Sequence, residues 1–443
     1  MARGRISAIA LASLAALAPA ASADTVGVPI SVPRTVVFFG VACPTATTCL
    51  AVGDGGVLVP ITDGIPGRPI SVPGTFELKG IACESAMSCI AVGDNASNVG
   101  VVVPITGTTP GVPITVPGTI SIDSIACPSA TGCTAIGTSA TTVDGVVVSI
   151  SGTTPGTPIS VAPIRLTAIA CQTASSCTAV GDNNSPSFAG VVVPITDGMP
   201  GPPVTVPGNP PGLDAIACQT ATSCTAVGNN ENNFGVVVPI QGGTPAAAVK
   251  PRRYAAFFGV GCESATTCEG VGQTGIGTQK GGVVPILSGH PGSPIPAPGD
   301  FARPSLNAVA CVSATSCEVV GTSGYTGLVA ATCIPAPGQG CAELTGPVSS
   351  HHATIVDQAL YCAGAPGQTC VVANQVRTLH NRLVARKTIT IRPGHVDELT
   401  FKLNRAGRRL LKKLGKLPVT LTISQRLDAS RFVILKRRLT LRR

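Results

Sequence analysis

Cys43-Pro-Thr-Ala-Thr-Thr-Cys-Leu-Ala-Val-Gly53 is the stretch on which the reading of this chain turns. Six further copies keep its grammar: Cys, any residue, Ser or Thr, Ala, two residues, Cys, two residues, Val or Ile, Gly. Their first cysteines are Cys83, Cys127, Cys171, Cys218, Cys262 and Cys311, at steps of 40, 44, 44, 47, 44 and 49 residues. A period of that length marks a supersecondary unit that cannot bury its apolar face alone and stacks on its neighbours.

Outward from the cysteines, each period divides into four short apolar runs. In the second copy these are Lys79–Cys83, Cys89–Gly93, Gly100–Thr106 and Pro113–Pro117. β-branched runs of this length broken by Pro and Gly cannot sustain helical turns. The runs Val57–Val59, Val101–Val103, Val146–Val148, Val191–Val193 and Val236–Val238 do not alternate with polar residues, which predicts strands buried on both faces. Four strands in about 44 residues is the size of a propeller blade. The expectation is all-β: a seven-bladed β-propeller over 24–345, followed by a small Ig-like β-sandwich over 346–443. A stacked β-solenoid is the alternative.

Ring closure provides a second count. Val28-Pro-Ile-Ser-Val-Pro33 matches Pro69-Ile-Ser-Val-Pro73, a fourth strand, so the chain after its leader begins with an orphan strand able to complete the last blade. Against a regular four-strand sheet stand Pro60, Pro104, Pro194, Pro239 and Pro285 inside the third run. An interior strand cannot donate there, so either a bulge or a loosely attached fourth strand is expected.

Residues 1–23 read as a signal peptide: Arg3 and Arg5, an apolar run from Ile6 to Pro19, and Ala21-Ser22-Ala23 before Asp24. Export, to the extracellular space or the cell envelope, follows. The eighteen cysteines then read as structural disulfides: Cys43/Cys49, Cys83/Cys89, Cys127/Cys133, Cys171/Cys177, Cys218/Cys224, Cys262/Cys268 and Cys311/Cys317 in the repeats, with Cys333/Cys341 and Cys362/Cys370 beyond them. Zinc ligation would call for C-x2-C or His-bearing spacings, which the seven units lack. The Gly after Ala-Val (Gly53, Gly93 and their equivalents) supplies either a positive φ or a close backbone approach.

The net charge of +9 hides a split: residues 24–345 carry 9 Lys/Arg against 17 Asp/Glu, and residues 346–443 carry 19 against 4. With 3% aromatics and no Trp, stacking platforms for sugars or bases are hard to build. That argues against nucleic acid as a partner of the basic tail. Anionic envelope polymers or lipid headgroups fit better, held by Arg405, Arg408, Arg409, Lys412, Lys413, Lys416, Lys436, Arg437, Arg438, Arg442 and Arg443. In the tail, Thr354–Leu360, Cys370–Val376, Thr388–Ile391, Glu398–Leu403, Val419–Ser424 and Phe432–Leu441 read as strands. Asn404 caps a helix over Arg405–Leu414, with Leu410, Leu411 and Leu414 covering a sheet face.

The C-x-[ST]-A-x-x-C-x-A-V-G unit, followed by G-V-V-V-P-I-T and P-G-x-P, resembles cysteine-paired repeats of secreted actinobacterial-type proteins. That resemblance implies a propeller and carries no activity. The strand order is similar to sialidase-type blades, whose Asp-box turn corresponds to Thr62-Asp63-Gly64 or Thr196-Asp197-Gly198. Other copies have Gly-Thr-Thr-Pro there and the box's Trp is absent, so glycosidase chemistry does not transfer. Leu403-Asn-Arg-Ala-Gly-Arg-Arg-Leu-Leu411 with Lys416-Leu-Pro-Val-Thr-Leu-Thr422 resembles Ig-like C-terminal domains of similar bacterial proteins.

The sequence holds no nucleophile elbow, zinc-protease helix, phosphate loop or EF-hand loop. Candidate binding residues lie in the loops after the second strand: Asp54, Asp94, Asn95, Asp182, Asn183, Asn229, Asn230 and Glu231. Their side chains could hydrogen-bond a glycan or protein partner or coordinate Ca²⁺. No cofactor, catalytic residue or metal site is called. The expected function is a non-enzymatic binding scaffold, with a polysaccharide hydrolase or lyase as the alternative.

Overall fold

The computed structural model describes residues 24–442 apart from 130–131, 185–187, 209, 211, 231–233, 252, 254, 276–279, 300–303, 335–337, 345–348, 352–353, 357–358, 364–366, 399–400 and 428–429. The leader read over 1–23 and the candidate Glu231 lie outside the described residues.

Among the described residues, seven antiparallel sheets of four or five strands each hold one copy of the repeat. The second copy forms Glu77–Cys83, Ser88–Asp94 and Gly100–Thr106, then a fourth strand in two pieces, Thr109–Pro110 and Ile114–Val116. First strands of successive sheets neighbour one another in chain order. That of the last copy, Pro304–Ser313, returns to that of the first, Phe38–Thr45, so the sheets close into a ring. The valine triplets are buried on both faces: Val101 and Val103 pack with Leu50, Val52 and Leu58 of the preceding sheet, and Val102 with Ile122 and Ala135 of the following one.

The prolines of the third strand are accommodated at the break in the fourth. Gly100–Thr106 pairs with Ser88–Asp94 along its whole length, Pro104 included, while the two pieces of the fourth strand contact it only at 100–102 and 105–106. Between them Gly111 N–H donates to Pro104 O at 2.8 Å. In a strand N and O of one residue point to the same side, so the donor Pro lacks faces the jog, where no acceptor waits. The third strand therefore carries no bulge, and the fourth is interrupted rather than loosely attached along its length.

Of the two roles open to the glycine after Ala-Val, close approach is the observed one. A Cβ at Gly53, Gly93, Gly137, Gly181, Gly228, Gly272 or Gly321 would overlap a backbone carbonyl oxygen of the first strand, such as that of Glu77 at Gly93, and none of the seven has positive φ. The Ser/Thr of the link turns the chain by accepting backbone hydrogen bonds, as Ser85 Oγ does from Ser88 N at 3.1 Å.

The disulfides bridge first and second strands, which pair at the cysteines themselves in Cys83↔Cys89, Cys171↔Cys177, Cys218↔Cys224, Cys262↔Cys268 and Cys311↔Cys317. All eighteen cysteines pair and none is free, the chemistry of an oxidising compartment. The two cysteines of a hairpin differ in exposure. The first of each pair, Cys43, Cys83, Cys127, Cys171, Cys218, Cys262 or Cys311, is half-buried. The second, Cys49, Cys89, Cys133, Cys177, Cys224, Cys268 or Cys317, is buried. The second strand is interior to its sheet, so its cysteine packs into the core between neighbouring sheets: Cys49 with Val41 and Val59, Cys224 with Ile216 and Ile240, Cys268 with Val260 and Ile286. Cys333, Cys341, Cys362 and Cys370 are likewise buried, in the C-terminal core. The buried sulfurs are thus core packing as well as cross-links.

Thr25–Val26 and Ile30–Val32 pair with Thr326–Cys333, the third strand of the last copy, and serve as its broken fourth strand. Beyond Cys333 come three further sheets. Cys341–Leu344 pairs with Ala359–Ala363, Ser349–His351 with Thr354–Val356, and a four-stranded sheet runs Leu383–Ile391, Cys370–Thr378, Lys416–Leu427, Ser430–Arg442. The helix spans Arg405–Leu414, and Asn404 caps it by accepting from Gly407 N. Leu411 is buried and Leu410 packs on the core, but Leu414, in the last turn, is 57% exposed and is not part of that core. This C-terminal core is continuous with the ring: Ala331 and Cys333 belong to it, Val28 packs against it, and Cys333–Cys341 bridges the junction. Among the described residues no helix is long and apolar enough to cross a membrane.

Candidate functional site

Every first strand contains one register shift at the same place: between Phe38 and Gly40, Leu78 and Gly80, Ile122 and Ser124, Leu166 and Ala168, Leu213 and Ala215, Phe257 and Gly259, and Leu306 and Ala308. A β-bulge leaves its extra residue outside the ladder and re-aims the side chain. The seven bulged residues are Phe39, Lys79, Asp123, Thr167, Asp214, Phe258 and Asn307, and all seven line a central cavity of about 240 Å³. The two positions that follow each of them are uniform, a small residue and then Val or Ile, as in Gly80-Ile81 and Ala215-Ile216. The chemistry of the channel is thus set by one variable residue per sheet.

Several of these residues reach across to the next sheet. Lys79 Nζ lies 3.1 Å from Asp94 and 3.1 Å from Asp123 of the following sheet, whose other oxygen accepts from Thr138 Oγ1 at 3.1 Å. Asn307 Nδ2 donates to Phe38 O at 2.9 Å across the closing junction. Desolvation pulls the Lys79 ammonium down, but attraction and hydrogen bonds from Asp123 and Asp94 outweigh it and leave its pKa raised. Asp214 accepts from Asn229 Nδ2 at 2.9 Å, yet burial, reinforced by Asp182, pushes its carboxyl up to about 6. The channel therefore presents a fixed cation, an ion-paired carboxylate, a carboxyl that titrates near neutrality, two aromatic rings and two neutral polar groups.

The residues expected from the loops divide by what they touch. Asp94 and Asn229 join the channel mouth through Lys79 and Asp214. Asp182 accepts from Arg165 Nε at 2.8 Å beside it, and Asp54 bridges to Glu77 at the neighbouring rim. Asn95, Asn183 and Asn230 fold their own loops instead: their Oδ1 atoms accept from Val99 N, Ala189 N and Phe234 N, which orients these oxygens inward rather than toward a ligand. The bulged residues were missed by sequence reading, although a signal existed. Each stands four residues before a first cysteine, the one variable position in an otherwise repeated apolar–x–small–β-branched frame.

On the opposite, disulfide-bearing side, acids are buried between sheets. Glu269 and Glu318 are pushed well above the usual carboxylate range by burial, Glu263 to about 7 and Asp24 to about 6, with Glu263 and Asp24 reinforcing Glu269. Glu269 accepts from Thr332 Oγ1 at 2.8 Å. Glu84 lies near Cys127 and Cys133, and Glu263 near Cys311 and Cys317, in clusters of metal-site size. Their sulfurs are closed in disulfides, so neither cluster has a thiolate to offer.

No protein-family profile and no curated protein sequence matches the chain. Solved structures do. The WD40 β-propeller domain of Doa1 superposes with a TM-score of 0.52 at 9% identity, over 69% of this chain and 97% of that one. The RRP9 WD40 repeats give 0.53 at 10% identity, over 71% and 100%. YCF48, bound to D1 peptide, gives 0.51 at 11% identity, over 73% and 100%. The ring is a β-propeller. Its sheets are blades, and the cavity lined by the bulged residues is the propeller channel.

Proposed function

We propose that this chain is an exported, seven-bladed propeller scaffold, non-enzymatic, that captures a peptide segment of a protein partner at the channel mouth. An Ig-like basic tail would hold it on anionic polymers of the cell envelope. The observation that carries the reading is the set of bulged residues: seven equivalent positions differ in charge, polarity and aromaticity while their frame repeats. Folding alone asks no such variety of equivalent positions, whereas recognition does. A cavity of about 240 Å³ suits an inserted side chain rather than a whole ligand. The peptide seen on YCF48 supports a peptide as the partner class.

The test is selection of displayed peptides on the folded protein, followed by Lys79→Ala, Asp214→Ala and Asn307→Ala. Affinity should fall at least about tenfold, the effect of losing one buried polar contact, while the melting temperature shows the fold intact. Selected peptides indifferent to all three changes would overturn the reading, as would ligands recovered only from a glycan array.

One observation favours a second reading, a polysaccharide hydrolase: Asp214, whose carboxyl burial pushes up to about 6, and Asp123, paired with Lys79, share one cavity, two carboxyl groups in unlike settings as such chemistry uses. Release of reducing ends from envelope polysaccharide, abolished by Asp214→Asn, would establish it.

A further inference from the structure

Larger than the channel is a cleft of about 790 Å³ between the rim of the propeller and the four-stranded C-terminal sheet. One wall is the outer edge of the ring where the last blade meets the first, Ile30–Pro33 and 65–67. The other wall is one face of the sheet. Its residues lie in two cross-strand rows, Arg386–Gln375–Thr422–Lys436 and Arg377–Thr420–Arg438. The opposite face of the same strands is the apolar core, with Val372, Val376, Val419, Leu421 and Ile423 fully buried. Half of this sheet is thus explained by folding. The other half is hydroxyls, an amide and cations facing a cleft.

Five cations border that cleft, Arg377, Arg431, Lys436, Arg437 and Arg438, and among the described residues its lining contains no acid and no aromatic ring. The nearest described ion-pair partner is Asp63, 4.0 Å from Arg431 at one end. Burial and the neighbouring Arg438 hold the Lys436 ammonium below its usual value, the state of a cation that lacks a counter-ion. Lys436 and Arg438, two residues apart on one strand, are spaced by about 7 Å, and Arg377 stands two strands away from Arg438, about 9.5 Å. Thr420, Thr422 and Gln375 fill the ground between them.

We infer that the cleft binds a linear acidic polysaccharide, whose carboxylates meet Arg377, Lys436 and Arg438 and whose hydroxyls meet the threonines and Gln375. Guanidinium forks suit carboxylates. The interleaved hydroxyls suit a hydroxylated polymer better than polyphosphate, and the lack of aromatic platforms disfavours neutral sugars and nucleic acid. The inference deepens the envelope-attachment part of the proposed function and rests on it: it moves attachment from the exposed helix cations Arg405 and Arg409 to the cleft.

The experiment uses the full mature chain and oligogalacturonate, with inorganic polyphosphate and dextran as comparators, by calorimetry at low and high salt. Oligogalacturonate should bind salt-sensitively and dextran should not. Lys436→Glu with Arg438→Glu should weaken binding at least about tenfold, and Arg405→Glu with Arg409→Glu, an equal change of charge, by less than about threefold. Carbodiimide coupling on the unaltered protein keeps the test independent of variant folding, since bound uronate should form its amide with Lys436 rather than Lys412 or Lys413. Equal losses in both variants, coupling confined to the helix lysines, or preference for polyphosphate would overturn the cleft as an acidic-glycan site. Absence of any polyanion binding by the unaltered protein would remove the attachment reading itself.

Discussion

Two kinds of residue carry most of the local constraint. The glycines near the ends of the second strands let the bulged first strand pass at carbonyl distance, and Gly93→Ala would drive its methyl into Glu77 O. We expect a loss of about 2–3 kcal/mol from backbone displacement, read by chemical denaturation; an unchanged midpoint would contradict the close approach. The buried acids Glu263, Glu269 and Glu318 act through protons. Burial holds all three above the usual carboxylate range, Glu263 at about 7 and Glu269 and Glu318 well above their ordinary value. The native state holds these protons more tightly than the unfolded chain, so their contribution is complete below about pH 4.5. It is lost as pH rises through the native values, for Glu263 through about 7. Stability measured between pH 4.5 and 8.5 should therefore fall with pH, and Glu269→Gln with Glu318→Gln should flatten the slope. A slope left unchanged by both substitutions would place the titration elsewhere.

At the scale of the element, the blade is a three-stranded ladder with a broken fourth strand, fastened at one hairpin. Removing one fastener with Cys171→Ala and Cys177→Ala opens a seven-residue loop, and about 2–2.5 kcal/mol should be lost in the chain-entropy picture. Cys333–Cys341 is different in kind, with its Cα atoms 5.8 Å apart across the junction of ring and tail. Its removal should leave the ring's unfolding midpoint nearly unchanged while limited proteolysis separates the tail; loss of the ring instead would show that the two cores unfold as one. The repeat, the hairpin bridges and the helix cap could be read from residue order because they depend on contacts a few positions apart. The burial of only the second cysteine in each hairpin could not, because it depends on the neighbouring sheet. Nor could the jog in the fourth strand. Its cause, Pro104, was visible, but its remedy, Gly111 donating to Pro104 O, depends on a loop conformation that residue types do not encode locally.

The whole molecule is closed by its own beginning. Thr25–Val26 and Ile30–Val32 complete the last blade, and Val32 is buried with Phe38 and Val59 of the first. Deleting residues 24–33 should lower the melting temperature by more than about 5 °C, and a peptide of that sequence added in trans should restore part of it; an unaltered melt would show that the ring holds without its clasp. Ile30–Val32 also lines the cationic cleft, so the clasp both closes the ring and shapes the place where ring and tail meet.

What the residue order determined by itself was the β-propeller repeat, the cysteine pairing within it and the contrast between an acidic ring and a basic tail. These follow from period, spacing and composition, which need no knowledge of distant neighbours. Tertiary structure decided where chemistry gathers. Phe39, Lys79, Asp123, Thr167, Asp214, Phe258 and Asn307 are 40 or more residues apart in the chain and meet only because seven bulges face one axis. Arg377, Lys436 and Arg438 face the rim of the ring only because the sheet turns its valines and leucines inward. The cysteine unit at 43–53 fastens the frame. The variable residue four positions before it, invisible as a site in any single copy, is where the frame exposes its differences.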